Sequence, residues 1–140
     1  MGGPVFEDLS VGDVVVTETL RFDRERLVRY AGASGDFNRI HWDEAFATGV
    51  GLPNVIVHGM LTMGAAIGPV EEWAGDPGAV IDYQTRFTRP VPVPADDVVE
   101  VAVSGAVAVL DAEARTARVD LTVTAAGAKV LGKAQAVVRL

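Results

Sequence analysis

Cysteine is absent from the 140 residues, which removes disulfides, thiol nucleophiles and thiolate metal ligands in one step. Aromatic residues are scarce, at 6%, so a core must be built mainly from Val, Ala and Leu. Basic residues are outnumbered, 12 Lys and Arg against 19 Asp and Glu. The resulting net charge of −7 repels phosphate backbones and argues against nucleic-acid binding. Apolar runs are interrupted by Gly, Pro or charge well short of a membrane span, so no membrane partner is expected. The first ten residues lack a basic region followed by an apolar stretch, so no secretory signal is expected. A soluble cytoplasmic protein is the expectation. Two histidines, His41 and His58, lie near Asp36 in a spacing that matches no familiar ligand motif, so no metal is expected.

What is present is apolar enough to fold. Hydrophobic residues make up 49% of the chain and charged residues 22%, a globular balance, and the length fits one domain over residues 1–140. The first half mixes elements. A β-branched segment at 14–20 follows the turn Val11-Gly12-Asp13. Asp23 is a candidate N-cap for a helix over 24–33 with Leu27, Val28 and Ala31 on one face. A polar loop from Ser34 to His41 cannot hold a regular period, and a short helix is expected at 43–48. Beyond His58, Met60, Met63, Ile67 and Val70 fall at the spacing of a buried helix face. Gly59, Gly64, Ala65, Ala66 and Gly68 permit close approach of another backbone, and Pro69 predicts a kink or restart.

The second half reads as Val-rich strands at 79–88, 98–110, 115–126 and 129–140. Turns are expected at Asp111-Ala112-Glu113 and Ala126-Gly127-Ala128, and the proline-rich stretch from Pro90 to Pro94 belongs in a loop or at a sheet edge. One strand, then helices, then antiparallel strands is an α+β pattern. A curled sheet needs an apolar element against its concave face, and the helix from Gly59 supplies it. The expected architecture is a hot dog, a sheet wrapped round one helix.

Chemically useful groups concentrate between Tyr30 and Ala47. Asp36 and His41 sit five residues apart on an irregular loop, where both can turn into one cleft. Such a pair can move protons in the removal of water from a β-hydroxyacyl thioester: one group takes the α-proton and the other protonates the departing hydroxyl. The thioester oxygen then needs an amide donor, and Gly59 at a helix start offers one. Each residue has a plainer role as well. Asp36 after Ser-Gly could be a turn residue, His41 a structural imidazole, His58 a capping or packing residue, and Met60 and Met63 core rather than acyl channel.

The stretch Ser34-Gly35-Asp36-Phe37-Asn38-Arg39-Ile40-His41, followed by His58-Gly59-Met60, resembles the signature of the MaoC-like (R)-specific enoyl hydratases and dehydratases. Within that family the chain is most similar to the actinobacterial (3R)-hydroxyacyl-ACP dehydratases of type II fatty acid synthesis. Supporting stretches such as Gly75-Asp76-Pro77-Gly78, Arg86-Phe87-Thr88 and Val91-Pro92-Val93-Pro94 spread over nearly the whole chain. The resemblance implies a hot-dog fold, an acyl-ACP or acyl-CoA substrate, no cofactor, and a role in lipid synthesis. It makes Asp36 and His41 the catalytic pair, with Asn38 bracing the loop and the Gly59 amide polarising the carbonyl. Arg39 stands where the family usually has proline, which puts the rigidity of the loop in question.

Which of the pair is acid and which base stays open, as does action through a shared water. A carboxyl able to donate a proton near neutrality needs burial in an apolar cleft. Arg86 and Arg89 are candidate phosphate contacts, although most of the arginines (21, 24, 26, 29, 39, 86 and 89) are expected to be solvated surface. A thioesterase usually places an acidic residue on the central helix, and none stands between Met60 and Gly68. A non-catalytic acyl-binding subunit has no need for the pair. A lone hot dog leaves an edge strand unpaired, so a homodimer or a heterodimer with a related hot-dog subunit is expected.

Overall fold

The computed structural model describes residues 2–140. Strand β1, Val14–Phe22, leads into helix α1, Arg24–Ser34, and then the short helix α2, Glu44–Gly49. Helix α3, Gly59–Ala74, precedes the strands β2, Val80–Phe87, β3, Val99–Asp111, β4, Thr116–Ala125, β5, Ala128–Lys129, and β6, Leu131–Arg139. All pairings are antiparallel, in the order β1-β3-β4-β6-β2, with β5 folded back on β4. The strands are valine-rich because β-branched side chains fit a pleated surface. Val101, Val103 and Val107 of β3 alternate with outward residues and are fully buried, as are Val119 and Val123 of β4. Helix α3 lies against the sheet, completing the α+β hot-dog architecture expected from the sequence.

The fully buried stripe of α3 shares only Val70 with the expected face of Met60, Met63, Ile67 and Val70. Thr62, Ala66, Val70 and Ala74 form its buried stripe, whereas Met60 is 58% exposed. Small and β-branched side chains let the helix axis approach the sheet closely, and the longer methionines are displaced to the flank. Glycines 64 and 68 face open space rather than a neighbouring backbone within the chain. The helix also continues through Pro69. Gly68 before it has no Cβ to clash with the proline ring, and the buried residues on either side hold the turn. In α1 the buried residues are Leu27 and Ala31, while Val28 is exposed. The expected strand over 129–140 divides at Val130, because the tight hairpin at Ala126 and Gly127, both at positive φ, returns β5 to β4 before the chain bends into β6.

Two features position the site. Asp23 caps α1 by accepting from the Arg26 amide, and Gly35 ends the helix at φ 77° with its N–H on the Ala31 carbonyl. The chain therefore leaves α1 sharply, directly before Asp36. Residues 91–93 form a strap paired with 55–57: the Val57 amide donates to the Val91 carbonyl at 2.9 Å, and the Val93 amide to that of Val55 at 2.8 Å. Pro92 sits between these bonds, opposite Ile56, so its missing N–H costs no pairing. Arg24 is no free surface cation. Its guanidinium donates to the Val93 carbonyl at 2.6 Å, to Asn54 Oδ1 at 2.7 Å and to Glu44 at 3.0 Å, tying α1 and α2 to the strap.

Gly105 of β3 sits at a tightly packed point of the sheet interior. A Cβ there would lie 2.9 Å from Leu121 Cδ2 and 3.0 Å from Val119 Cγ1. Gly105→Ala is therefore expected to destabilise the fold by about 1–3 kcal/mol through overpacking, read as a lower midpoint in urea unfolding. An unchanged midpoint would show that β4 can give way.

Candidate active site

The Asp36 backbone and side chain make a compact turn. Its amide donates to Ser34 Oγ at 3.1 Å, and its Oδ1 accepts from the Asn38 amide at 3.1 Å. Asn38 Oδ1 in turn accepts from the Ile40 amide at 3.2 Å and caps a single 3-10 turn, Arg39–His41. The loop is thus stiffened by side-chain to backbone bonds, not by a proline. Arg39 contributes outside it, bonding Asp43 at 2.8 Å and lying over the Phe46 ring.

His41 is buried, and its Nδ1 lies 2.7 Å from the Ile56 carbonyl oxygen. A carbonyl can only accept, so the proton is on Nδ1 and the lone pair is on Nε2. That Nε2 lies 3.9 Å from Asp36 Oδ2. The carboxylate is half-exposed, with 50% of its side-chain surface open, so this chain alone does not bury it in an apolar cleft as the sequence suggested.

His58 is only 1% exposed. Its ring stacks on that of His41, with centroids 3.8 Å apart and planes 19° from parallel, and Tyr30 presents an edge to it. Its Nε2 meets the Asp36 carbonyl at 3.2 Å and its Nδ1 has no partner. Burial holds the His58 pKa below the ordinary imidazole value; the bond to the Asp36 carbonyl opposes this in part, and His41 adds to it.

A cavity of about 340 Å³ opens beside His41. Its walls are largely apolar, including Leu52, Ile56, Val57, Val91 and Leu131, with Thr62 and Gly59 on the α3 side. The Gly59 amide precedes the helical ladder, whose first bonds Leu61 and Thr62 donate to the His58 carbonyl. Phe87 packs over Gly59, where a Cβ would lie 3.0 Å from the ring. Arg89 stands at the cavity wall, whereas Arg86 is exposed on β2 and outside the lining.

A model of the MaoC like domain matches residues 8–126. The chain belongs to the MaoC-like family. Similar MaoC-like proteins include 3-hydroxyacyl-thioester dehydratase X of Mycobacterium tuberculosis, 42% identical over 76 residues that cover 54% of this chain. The chain spans 26% of the length of that protein. The 3-hydroxybutyryl-CoA dehydratase of Methylorubrum extorquens is 39% identical over 119 residues, 84% of this chain and 72% of that one. A MaoC-like dehydratase of known structure superposes with a TM-score of 0.95 at 45% identity, over 99% of this chain and 43% of that one.

Within this MaoC-like site, Asp36, His41 and His58 each offer a ligating atom within 4.8 Å of the others. The donor set does not suit a tetrahedral metal. Two stacked, near-parallel rings do not aim lone pairs at one point, and one nitrogen of each already faces a carbonyl. Neither the Ile56 carbonyl nor Phe87 over Gly59 carries a signal in the sequence. His58 stood out by residue type, but its stacking on His41 depends on where α3 begins in space.

The lowered His58 pKa has a consequence for stability. The unfolded chain takes up a proton near pH 6.5, where the folded one does not, so stability declines as pH falls through and below that value. Urea unfolding at a series of pH values is expected to show this decline, with a shallower slope in His58→Gln. Equal slopes would remove His58 from the acid sensitivity.

Proposed function

We propose that this MaoC-like domain is an (R)-specific hydro-lyase, interconverting (3R)-hydroxyacyl and trans-enoyl thioesters of coenzyme A or acyl carrier protein. The observation that carries this reading is the His41–Asp36 pair, a base lone pair and a carboxyl group 3.9 Å apart beside an apolar cavity. The activities named for the Mycobacterium and Methylorubrum relatives point the same way.

In the dehydration direction His41 Nε2 takes the α-proton, and the Gly59 N–H donates to the thioester oxygen as it gains enolate character. The C3–O bond then breaks, with its electrons leaving on oxygen, and protonated Asp36 supplies the proton that makes water. The imidazolium returns its proton to the carboxylate and the pair is reset. Hydration runs the same steps in reverse. Val57, Ile56 and Leu131 would hold the acyl group, and exposed Arg89 would meet carrier phosphate at the rim, with Arg86 further along β2. Helix α3 carries no acidic residue between Met60 and Gly68, where a thioesterase usually places one.

Protonated Asp36 calls for shelter that the chain by itself does not give. Phe37, Trp42, Met60 and Phe87 are exposed on the segments that form the site, and β1 and β2 are unpaired edges of the sheet. A second hot-dog subunit, identical or related, would cover both liabilities and shelter the Asp36 carboxyl from water. Among the described residues no helix is long and apolar enough to cross a membrane. A cytoplasmic setting and a place in type II fatty acid synthesis belong to the same proposal.

The test is hydration of crotonyl-CoA, followed by loss of enoyl absorbance, on a sample whose mass is read by light scattering. The expected result is turnover by a dimer, with Asp36→Asn and His41→Ala each lowering kcat by about 10²–10⁴-fold while the fold is kept. Near-normal turnover in either folded variant removes that residue from the mechanism, and an active monomer removes the second subunit.

A further inference from the structure

His58 plays no proton-transfer part in the mechanism above, yet it touches both residues that do. One ring face lies on His41 at 3.8 Å, and its Nε2 reaches the Asp36 carbonyl at 3.2 Å. Because that carbonyl can only accept, the proton is on Nε2 and the lone pair on the unpartnered Nδ1. An unpartnered polar atom on a ring that is 1% exposed is costly, and a Phe or Leu would fill the space without it. An imidazole in that place therefore needs a reason beyond packing.

The geometry points to His58 as the positioning residue of the catalytic pair, a neutral imidazole whose ring face fixes the plane of His41 and whose Nε2–H fixes the backbone of Asp36. The inference rests on the hydro-lyase reading. The stack acts on orientation. His41 is anchored at Nδ1 by the Ile56 carbonyl, a single bond that leaves the tilt of the ring to be set by what packs on its face. A parallel ring against that face sets the tilt, so Nε2 stays aimed toward Asp36. The Nε2–H bond acts on the other partner, because Asp36 is otherwise held only within its own turn, its amide by Ser34 Oγ and its carboxylate by the Asn38 amide. One rigid side chain at the start of α3 thus sets both ends of the 3.9 Å gap.

The ionisable groups facing His58 are Asp36 and His41 from the loop and Tyr30 from α1. Burial and the adjacent His41 keep His58 neutral. Neutrality matters here. A second cation stacked on His41 would oppose the imidazolium that forms when His41 takes a proton. A lysine or arginine could donate to the Asp36 carbonyl, but it would bring that charge. A phenylalanine could stack without donating. A neutral imidazole does both within one small ring.

The test uses the fact that the protein has two histidines, so its imidazole nitrogen spectrum contains two rings. In the unmutated protein, NMR of the ring nitrogens is expected to show His41 protonated at Nδ1 and His58 at Nε2, with His58 still neutral at about pH 6.5, where a free imidazole is half-protonated. His58 protonated at Nδ1, or titrating like a free imidazole, overturns the proposal without any mutation. Two variants then separate the contacts. His58→Gln keeps a donor and loses the stack; His58→Phe keeps the stack and loses the donor. In both, kcat for crotonyl-CoA is expected to fall by roughly 10²-fold with KM nearly unchanged, the signature of misplaced reacting groups. His41 is expected to stay protonated at Nδ1 in both variants, since the Ile56 carbonyl sets that tautomer, while its ring signals broaden in His58→Gln and stay sharp in His58→Phe. Unchanged kcat and unchanged His41 signals in both folded variants also overturn it. If the unmutated protein hydrates no enoyl thioester, the hydro-lyase reading fails, and the nitrogen signals alone then decide the positioning.

Discussion

The hydrogen bond from His41 Nδ1 to the Ile56 carbonyl is the interaction on which the rest of the site depends. It sets the tautomer, and so it decides that Nε2 offers a lone pair to the cavity. Ile56 can serve as the fixed point because its amide donates to the Ile40 carbonyl and its neighbours are laddered to the 91–93 strap. The strap is held by Arg24, whose guanidinium also reaches α2. Local bonds around one loop are in this way converted into a site of fixed geometry. The cavity shares those walls, since Ile56, Val57 and Val91 line it.

Much of this was legible in sequence, for physical reasons that differ between elements. Valine alternation marked β3 and β4 to within a residue or so, because one face of each is buried on the core. The cap at Asp23 and the left-handed Gly35 bracketed α1. Helix α3 was found, but its buried face was not. Nearly every residue from Gly59 to Val70 is apolar or small, so two stripes at helical spacing competed. Val70 belongs to both, and only the close approach of the sheet selects Thr62 and Ala66 over the larger Met60. Asp36 and His41 were placed by residue type and loop context, and the Asn38 brace by resemblance. The Ile56 carbonyl was invisible because a backbone oxygen carries no residue signature. Arg24 was read as solvent-facing because nothing local announces bonds to the distant Asn54 and Val93.

The site is also uneven in its protection. The imidazoles are enclosed between α1, the loop and α3, while the carboxylate is half-open and edged by exposed Phe37 and Trp42. Enclosure holds His41 in one tautomer, whereas the Asp36 side is the part of the site that this chain leaves open. The apolar surface around Asp36 and the bare β2 edge are what a second subunit would remove from water, so completing the sheet and completing the site become one event.

The central claim is that both proton-handling groups stand on one loop beside the cavity and so act from the same side of a bound substrate. Hydration of crotonyl-CoA in D₂O, with the relative configuration at C2 and C3 of the product read by NMR, tests it most directly. Groups 3.9 Å apart on a single loop deliver deuterium and hydroxyl to the same face, so syn addition is the predicted result. Anti addition requires an acid and a base on opposite faces of the enoyl plane, and would contradict the Asp36–His41 account.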